Sequence, residues 1–382
     1  MTKSVERSEG RTCGPRRRQA INWIAKVLVL ATCLVGANPV SAQSGFNTPG
    51  NILIADQFNN RVIEVNPNTH NIVWSFGNGS SIPGAHSVVA PNDAQRVGDL
   101  TVIAGSGAPT GTPTAFEPNC QNGCPDNRVI VVDQGGKIVW QYGENGVAGS
   151  GFNQLNTPVQ ATFLPNKHVL ITDQGNQRVI EVNEFYFIVW QYGTTGVSGS
   201  GPNQLNNPNS AEWLENGDIL IADENNNRVI EVNRLKQIVW QYGNPDDTTV
   251  LNGAAFASRL PNGNTLITDS NNSRVIEVDR AGNTVFTFLT SSRPGSASPS
   301  LPTHAIRLFN GNTLISDQAN NQVIEVDPDG NIVFSQGQIG VLGAGFNQLN
   351  WPYDAKLIGE YVGITPPFGA FFRSLDHTTF AY

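Results

Sequence analysis

From about residue 50 to residue 358 the chain is built of short β-branched and aliphatic runs, four to six residues long, separated by Gly, Pro, Asn and Asp. The stretch 161–192 shows the pattern plainly. Apolar runs at 161–164, 169–172, 178–182 and 188–192 are divided by Pro165-Asn166, by Gly175-Asn176 and by the link that begins at Asn183. Runs of this length between turn residues predict β-strands. No segment carries a helical apolar period, so the pattern predicts an all-β protein.

The four-strand pattern repeats. One phrase recurs six times, in its fullest form Asp223-Glu224-Asn225-Asn226-Asn227-Arg228-Val229-Ile230-Glu231-Val232, followed shortly by Ile238-Val239-Trp240-Gln241-Tyr242-Gly243. Its anchor falls at Arg61, Arg128, Arg178, Arg228, Arg274 and Gln322, at spacings of 67, 50, 50, 46 and 48 residues. Four strands and a period near 50 are the dimensions of a propeller blade. The insertion 105–126 accounts for most of the long first spacing.

The two ends are complementary. The first unit begins at Asn51-Ile52-Leu53-Ile54-Ala55-Asp56 and lacks the strand that precedes this phrase elsewhere. Near the other end Phe346-Asn347-Gln348-Leu349-Asn350-Trp351-Pro352 matches Phe152-Asn153-Gln154-Leu155-Asn156-Thr157-Pro158, and 353–358 supplies a spare first strand. The expectation is a six-bladed β-propeller whose C-terminal strand completes the N-terminal blade, which closes the ring and removes its edges.

With these phrases the chain resembles NHL-repeat propellers, through loops such as Gly199-Ser200-Gly201-Pro202-Asn203 and through the Asp-x-x-Asn-x-Arg-Val phrase. It is also similar to bacterial arylsulfotransferase-like propellers, through 260–267 (LPNGNTLI) and the strand ending Val139-Trp140-Gln141-Tyr142. Both resemblances imply a propeller, and neither implies one activity, because unrelated functions share this fold.

Composition narrows the classes of partner. Arg16, Arg17 and Arg18 precede the apolar run 27–37, and Val40-Ser41-Ala42 supplies small residues for cleavage, which reads as a secretory signal peptide over 1–42. An 11-residue run is too short for a membrane span. The expected protein is then extracytoplasmic, periplasmic or secreted, with the propeller over 43–359 and an aromatic tail over 360–382 packing on it. Without the leader, 16 basic and 29 acidic residues leave a net charge of −13, which disfavours nucleic acid and anionic membrane surfaces. The mature chain keeps Cys120 and Cys124, which in an oxidising compartment predict a disulfide.

Residues repeated in every unit read as architecture. Asp56, Asp173, Asp223, Asp269 and Asp317, five residues before the Arg or Gln anchor, suit Asn-rich turns whose backbone N–H groups need an acceptor. Asp223, Asn225 and Asn227 mimic the start of a calcium loop, but Arg228 stands where that loop needs Gly and Arg234 where it needs Glu. Trp74, Trp140, Trp190 and Trp240, with Phe286 and Phe334, suit packing between blades. Because Gln322 replaces Arg while Asp317 remains, the turn matters more than the ion pair.

A functional site should lie where the repeats differ. Aligning the first strands on Ser87, Ala161, Ala211, Ala257, Ala305 and Ala355 puts His86, Gln160, Ser210, Phe256, His304 and Asp354 in one column facing the channel. Ring order would place His304, Asp354 and His86 on consecutive blades. An Asp between two imidazoles can orient one as a base, or the three can hold a divalent metal such as zinc. The resemblances imply uses for such a mouth: sulfuryl transfer through channel His residues, or a metal-dependent lyase. The expected function is a monomeric binding module for a protein, peptide, glycan or small molecule. The alternative is an enzyme using His86, His304 and Asp354, with Gln160, Ser210 and Phe256 contacting its ligand.

Overall fold

The computed structural model describes residues 45–360; the expected leader 1–42 and the tail after Glu360 lie outside the described residues. Twenty-four strands among the described residues form six four-stranded antiparallel sheets in a ring. Blade 1 consists of Ile52–Asp56, Arg61–Val65 and Ile72–Phe76, with Pro352–Leu357 as its inner strand. The inner strands of blades 2 to 6 are Pro91–Val97, Pro158–Phe163, Pro208–Trp213, Ala254–Arg259 and Pro302–Arg307, and each touches its neighbours around the circle. Ring closure is the register expected from the sequence, with Ile52 opposite Leu357, Ile54 opposite Ala355 and Ala55 opposite Asp354.

The apolar core is divided among the blade interfaces rather than gathered at the centre. Separate clusters fill the wedges between neighbouring blades, such as Val129, Val131, Phe163 and Ile180 between blades 2 and 3. Second and third strands are therefore buried on both faces, which is why Ile52–Asp56 and Arg228–Val232 read as nearly unbroken apolar runs. The tryptophans sit between blades as expected: Trp74, Trp190 and Trp240 donate their indole N–H to the carbonyls of Gln134, Arg234 and Arg280 on the next blade.

The repeated polar residues solve a backbone problem. Where the chain enters each inner strand, consecutive N–H groups turn into the interior with no strand partner. Asp56, Asp126, Asp173, Asp223 and Asp269 accept the first of these from Asn350, Val89, Asn156, Asn206 and Asn252, at 2.6–2.8 Å. The next is accepted by a side chain of the preceding blade: Asn60, Asn127, Gln177, Asn227 and Asn321 bond Ala90, Thr157, Asn207, Gly253 and Trp351. In blade 6 the donor shifts by one residue, from Ser300 to Ser273. These acceptors all have φ between 49° and 60°, the left-handed conformation that asparagine tolerates better than most residues.

Two blades reach the same arrangement by different residues. In blade 2, Gly105 faces Arg128 where the other blades carry Asp, and a Cβ at Gly105 would lie 2.8 Å from the carboxylate of Asp126, which fills that space from the next strand. In blade 6, Arg293 from the preceding loop reaches Asp317 and Gln322, so the guanidinium lost at position 322 returns from elsewhere. The ion pair is thus kept in this turn as well, which corrects the expectation that the turn matters more than the pair.

The insertion forms an arm. Leu100–Thr110 and Asn122–Val132 pair beyond the blade, and the Cys120–Cys124 disulfide lies at the tip with a Cα separation of 5.2 Å. The arm folds over the closing seam: the Phe116 ring lies 4.5 Å from Trp351 and 5.9 Å from Phe58. The Glu117 carboxylate accepts from Asn60 at 2.6 Å and Ser81 at 2.9 Å. Closure thus joins strand pairing to a clamp of the blade 2 arm on blade 1.

Truncation after Trp351 removes the inner strand of blade 1, and thermal unfolding by circular dichroism should lose its cooperativity; an unchanged transition would refute closure. Asn321→Ala leaves the Trp351 N–H without its acceptor and should lower stability by about 1–3 kcal/mol in denaturant titration.

Candidate functional site

The inner strands run down the channel from the face that carries the turns. The column expected to face the channel contains Gln160, Ser210, Phe256, His304 and Asp354, all buried. Its blade 2 member is not His86 but Asp93. Ala94, the residue after it, pairs with Ile103 as Ala305 pairs with Ile315 and Ala355 with Ile54. His86 is exposed in the loop before the blade, beside Lys137, Ile138 and Gln141 of the outer strand, in a surface cavity of about 490 Å³. The signal was present in the sequence: Pro91-Asn92-Asp93-Ala94 repeats the spacing of Pro302-Thr303-His304-Ala305.

Most of this column holds the blades together. Asp354 accepts the N–H of Ala94, Asp93 that of Ala161, Gln160 that of Ala211 and Ser210 that of Ala257, each on the next blade. Phe256 has no acceptor and packs against His304 with the rings tilted by 52° and their centres 4.0 Å apart. His304 Nδ1 stands 3.1 Å from Asp354 Oδ1 but out of line for a hydrogen bond, and the ring has a backbone hydrogen bond with Ala355.

Beneath them Lys356 places its ammonium 2.5 Å from Asp93 and 2.6 Å from Asp354, with a third bond to the Ala94 carbonyl. Burial opposes the lysine's charge, but Asp354 and Asp93 outweigh it and hold its pKa above the ordinary value. Burial raises the Asp93 pKa, against the pull of Lys356. Burial, then the lysine charge, holds the His304 imidazole well below its usual pKa, so it is neutral at pH 7. A cation already lies between the two carboxylates, and the donor set does not fit a divalent metal. Among the described residues no group of three or more His, Cys, Asp or Glu side chains is arranged to hold one.

Above the column, polar side chains form a belt across the mouth. Gln318 donates to Gln57 at 2.9 Å, Gln57 to Asn92 at 2.7 Å, and Asn92 bonds the Tyr353 hydroxyl. Tyr353 spans the channel from blade 1 to blade 4, where its hydroxyl donates to Asn209 at 2.9 Å. Asn209 in turn donates to Glu224 at 3.1 Å, and Asn207 donates to the same carboxylate oxygen at 3.0 Å. The space below Tyr353 is about 10 Å³, enough for a single water. That space admits no larger ligand.

Glu224 is the residue that the alignment missed. It opens the turn after Ile219–Asp223, a position filled by Gln57, Gln174, Ser270 and Gln318 in blades 1, 3, 5 and 6. Burial raises its pKa to about 7, against the lowering effect of the Asn207 and Asn209 amides. Burial, followed by the Glu224 charge, pushes the Tyr353 hydroxyl well above its usual range. His70 and His168 lie on the opposite rim, bonded to Gln336 and Glu181.

No protein-family model matches the chain, and no curated protein matches it. A protein of unknown function from Bacteroides caccae superposes with a TM-score of 0.54 at 14% identity, over 75% of this chain and 93% of that one. Virginiamycin B lyase from Staphylococcus aureus gives 0.43 at 15% identity, over 67% and 75%. A chain of a nidogen/laminin complex gives 0.48 at 10%, over 75% and 92%. At these identities the likeness is one of fold alone: the chain is a six-bladed β-propeller.

Lys356→Met leaves Asp93 and Asp354 buried without their cation, and denaturant titration at pH 7 should show a loss of about 3–5 kcal/mol. Glu224 behaves in the opposite sense. Its folded pKa of about 7 exceeds the ordinary 4.5, so its contribution is full below pH 4.5 and is lost as pH rises through 7. Glu224→Gln keeps an acceptor for both amides and should gain about 1–3 kcal/mol on the wild type between pH 5 and pH 8. A pH-independent difference would contradict this.

Proposed function

We propose that the chain is a binding module that holds a ligand on the polar mouth of its turn-bearing face, working outside the cytoplasm as a monomer. The observation that carries this reading is the belt from Gln318 to Glu224, which closes the channel just below the surface and leaves its amides fixed by one another. Groups held in place in this way lose little freedom when a ligand arrives. The blade 2 arm stands on the same face and adds a wall beside the belt. The NHL-like wording of the repeats supports kinship with propellers that present loops around a channel. The Cys120–Cys124 bond and the leader-like 1–42 support an oxidising, extracytoplasmic setting.

Catalysis at His86, His304 and Asp354 has less support. His86 lies apart from the other two, His304 is enclosed beside Phe256, and Asp354 is buried and already bonded to Lys356 and the Ala94 N–H. The ligand classes that suit the mouth are a peptide, a protein loop, a glycan or a small polar molecule.

The test is a screen of peptide and glycan arrays with residues 43–382, each hit being titrated again with an Asn92→Leu/Asn209→Leu variant shown to be folded. At least a tenfold loss of affinity is expected, and His86→Ala should bind as the wild type does. Hits that bind the mouth variant unchanged would move the site elsewhere.

A further inference from the structure

The mouth has one unbalanced charge, and the inference drawn from it rests on the mouth being the binding site. Each carboxylate in the ring of strand junctions has a guanidinium: Asp56 with Arg61, Asp126 with Arg128, Asp173 with Arg178, Asp223 with Arg228, Asp269 with Arg274 and Asp317 with Arg293. Glu224 has none. Among the described residues no Lys, Arg or His pairs with it, and its two hydrogen bonds both fall on Oε2. Oε1 accepts no hydrogen bond from the described residues. The belt also has a direction: Gln318 donates to Gln57 and Gln57 to Asn92, while Tyr353 donates to Asn209 and Asn209 to Glu224, so the donors run towards this one acceptor.

The geometry points to a cation site: we propose that Glu224 Oε1 receives a protonated primary amine of the ligand. Shape selects ammonium over guanidinium. A guanidinium fork needs both carboxylate oxygens in its plane, and Oε2 is already taken by two amides; a single free oxygen suits the compact ammonium. Sign selects a cation over a neutral hydroxyl, because a half-buried carboxylate without a counter-charge gains most from one. The other titratable groups nearby leave this intact. Tyr353 stays neutral, Asp223 is held by Arg228, and the Asp93–Lys356–Asp354 group with neutral His304 lies one tier below, its carboxylates already bonded to the lysine. An ammonium at Oε1 favours the ionised carboxylate, so amine binding releases a proton near neutral pH, where Glu224 titrates.

The experiment is calorimetric titration of residues 43–382 with n-butylamine, n-butanol and ethylguanidinium at pH 6 and pH 8. Butylamine should saturate one site, bind about tenfold more weakly at pH 6 than at pH 8 as Glu224 takes up its proton, and exceed both other probes. Glu224→Gln should abolish this binding at both pH values. If that variant fails to fold, the wild-type pH profile and the butanol comparison decide. Equal binding of butanol, a flat pH profile or no saturable butylamine binding would overturn the proposal. A neutral array ligand that is lost in the Asn92→Leu/Asn209→Leu variant while butylamine stays inert would remove the amine and leave the mouth standing. Array hits indifferent to that variant would remove both.

Discussion

The structure depends on pairing the backbone N–H groups exposed where the chain enters each inner strand. Those groups point into the ring, where no strand can reach them, and an unpaired buried donor costs about 1–3 kcal/mol. Five junctions meet this need twice, once from a carboxylate in the same blade and once from an amide of the blade before, and at the blade 6 junction the Ser273 hydroxyl accepts from Ser300. The second bond ties each blade to the next, and between Asn321 and Trp351 it ties the last blade to the first. Ring closure is therefore the same chemistry as every other junction, with strand pairing and the blade 2 arm added to it.

That constraint also separates architecture from site. Gln160, Ser210 and Asp354 look like channel chemistry in a sequence column, yet each, like Asp93 beside them in the structure, bonds a neighbouring blade's N–H. Lys356 bonds both aspartates, so neither is without a cation. Glu224 is left over. An ionised, unpaired carboxylate in a half-buried place weakens the fold, and proteins keep such groups where function needs them. The mouth reading and the amine proposal both grow from that imbalance.

The fold was largely legible in the sequence because propeller strands announce themselves through turn residues at a fixed period, and because a missing first strand at one end matched a spare at the other. The Asn-rich turns and interblade aromatics were legible for the same reason. The site was less so. His86 drew attention as a rare residue near a small one, whereas the proline that opens five of the six inner strands was the better ruler and would have selected Asp93. Two substitutions hid because space, not sequence, conserves the group: Asp126 fills the place above Gly105, and Arg293 replaces the Arg missing at 322. Glu224 stood inside the repeated phrase itself, where one acidic residue among Gln and Ser looks like ordinary variation. Its meaning comes from Tyr353, 129 positions later in the chain, crossing the channel to Asn209.

The measurement that reaches the central claim most directly is the titration of the Glu224 side chain itself, by carbon NMR of glutamate-labelled protein with the signal assigned through Glu224→Gln. The account predicts a midpoint near pH 7 in the free protein, falling when n-butylamine is added. A midpoint near the ordinary 4.5, unmoved by the amine, would contradict it.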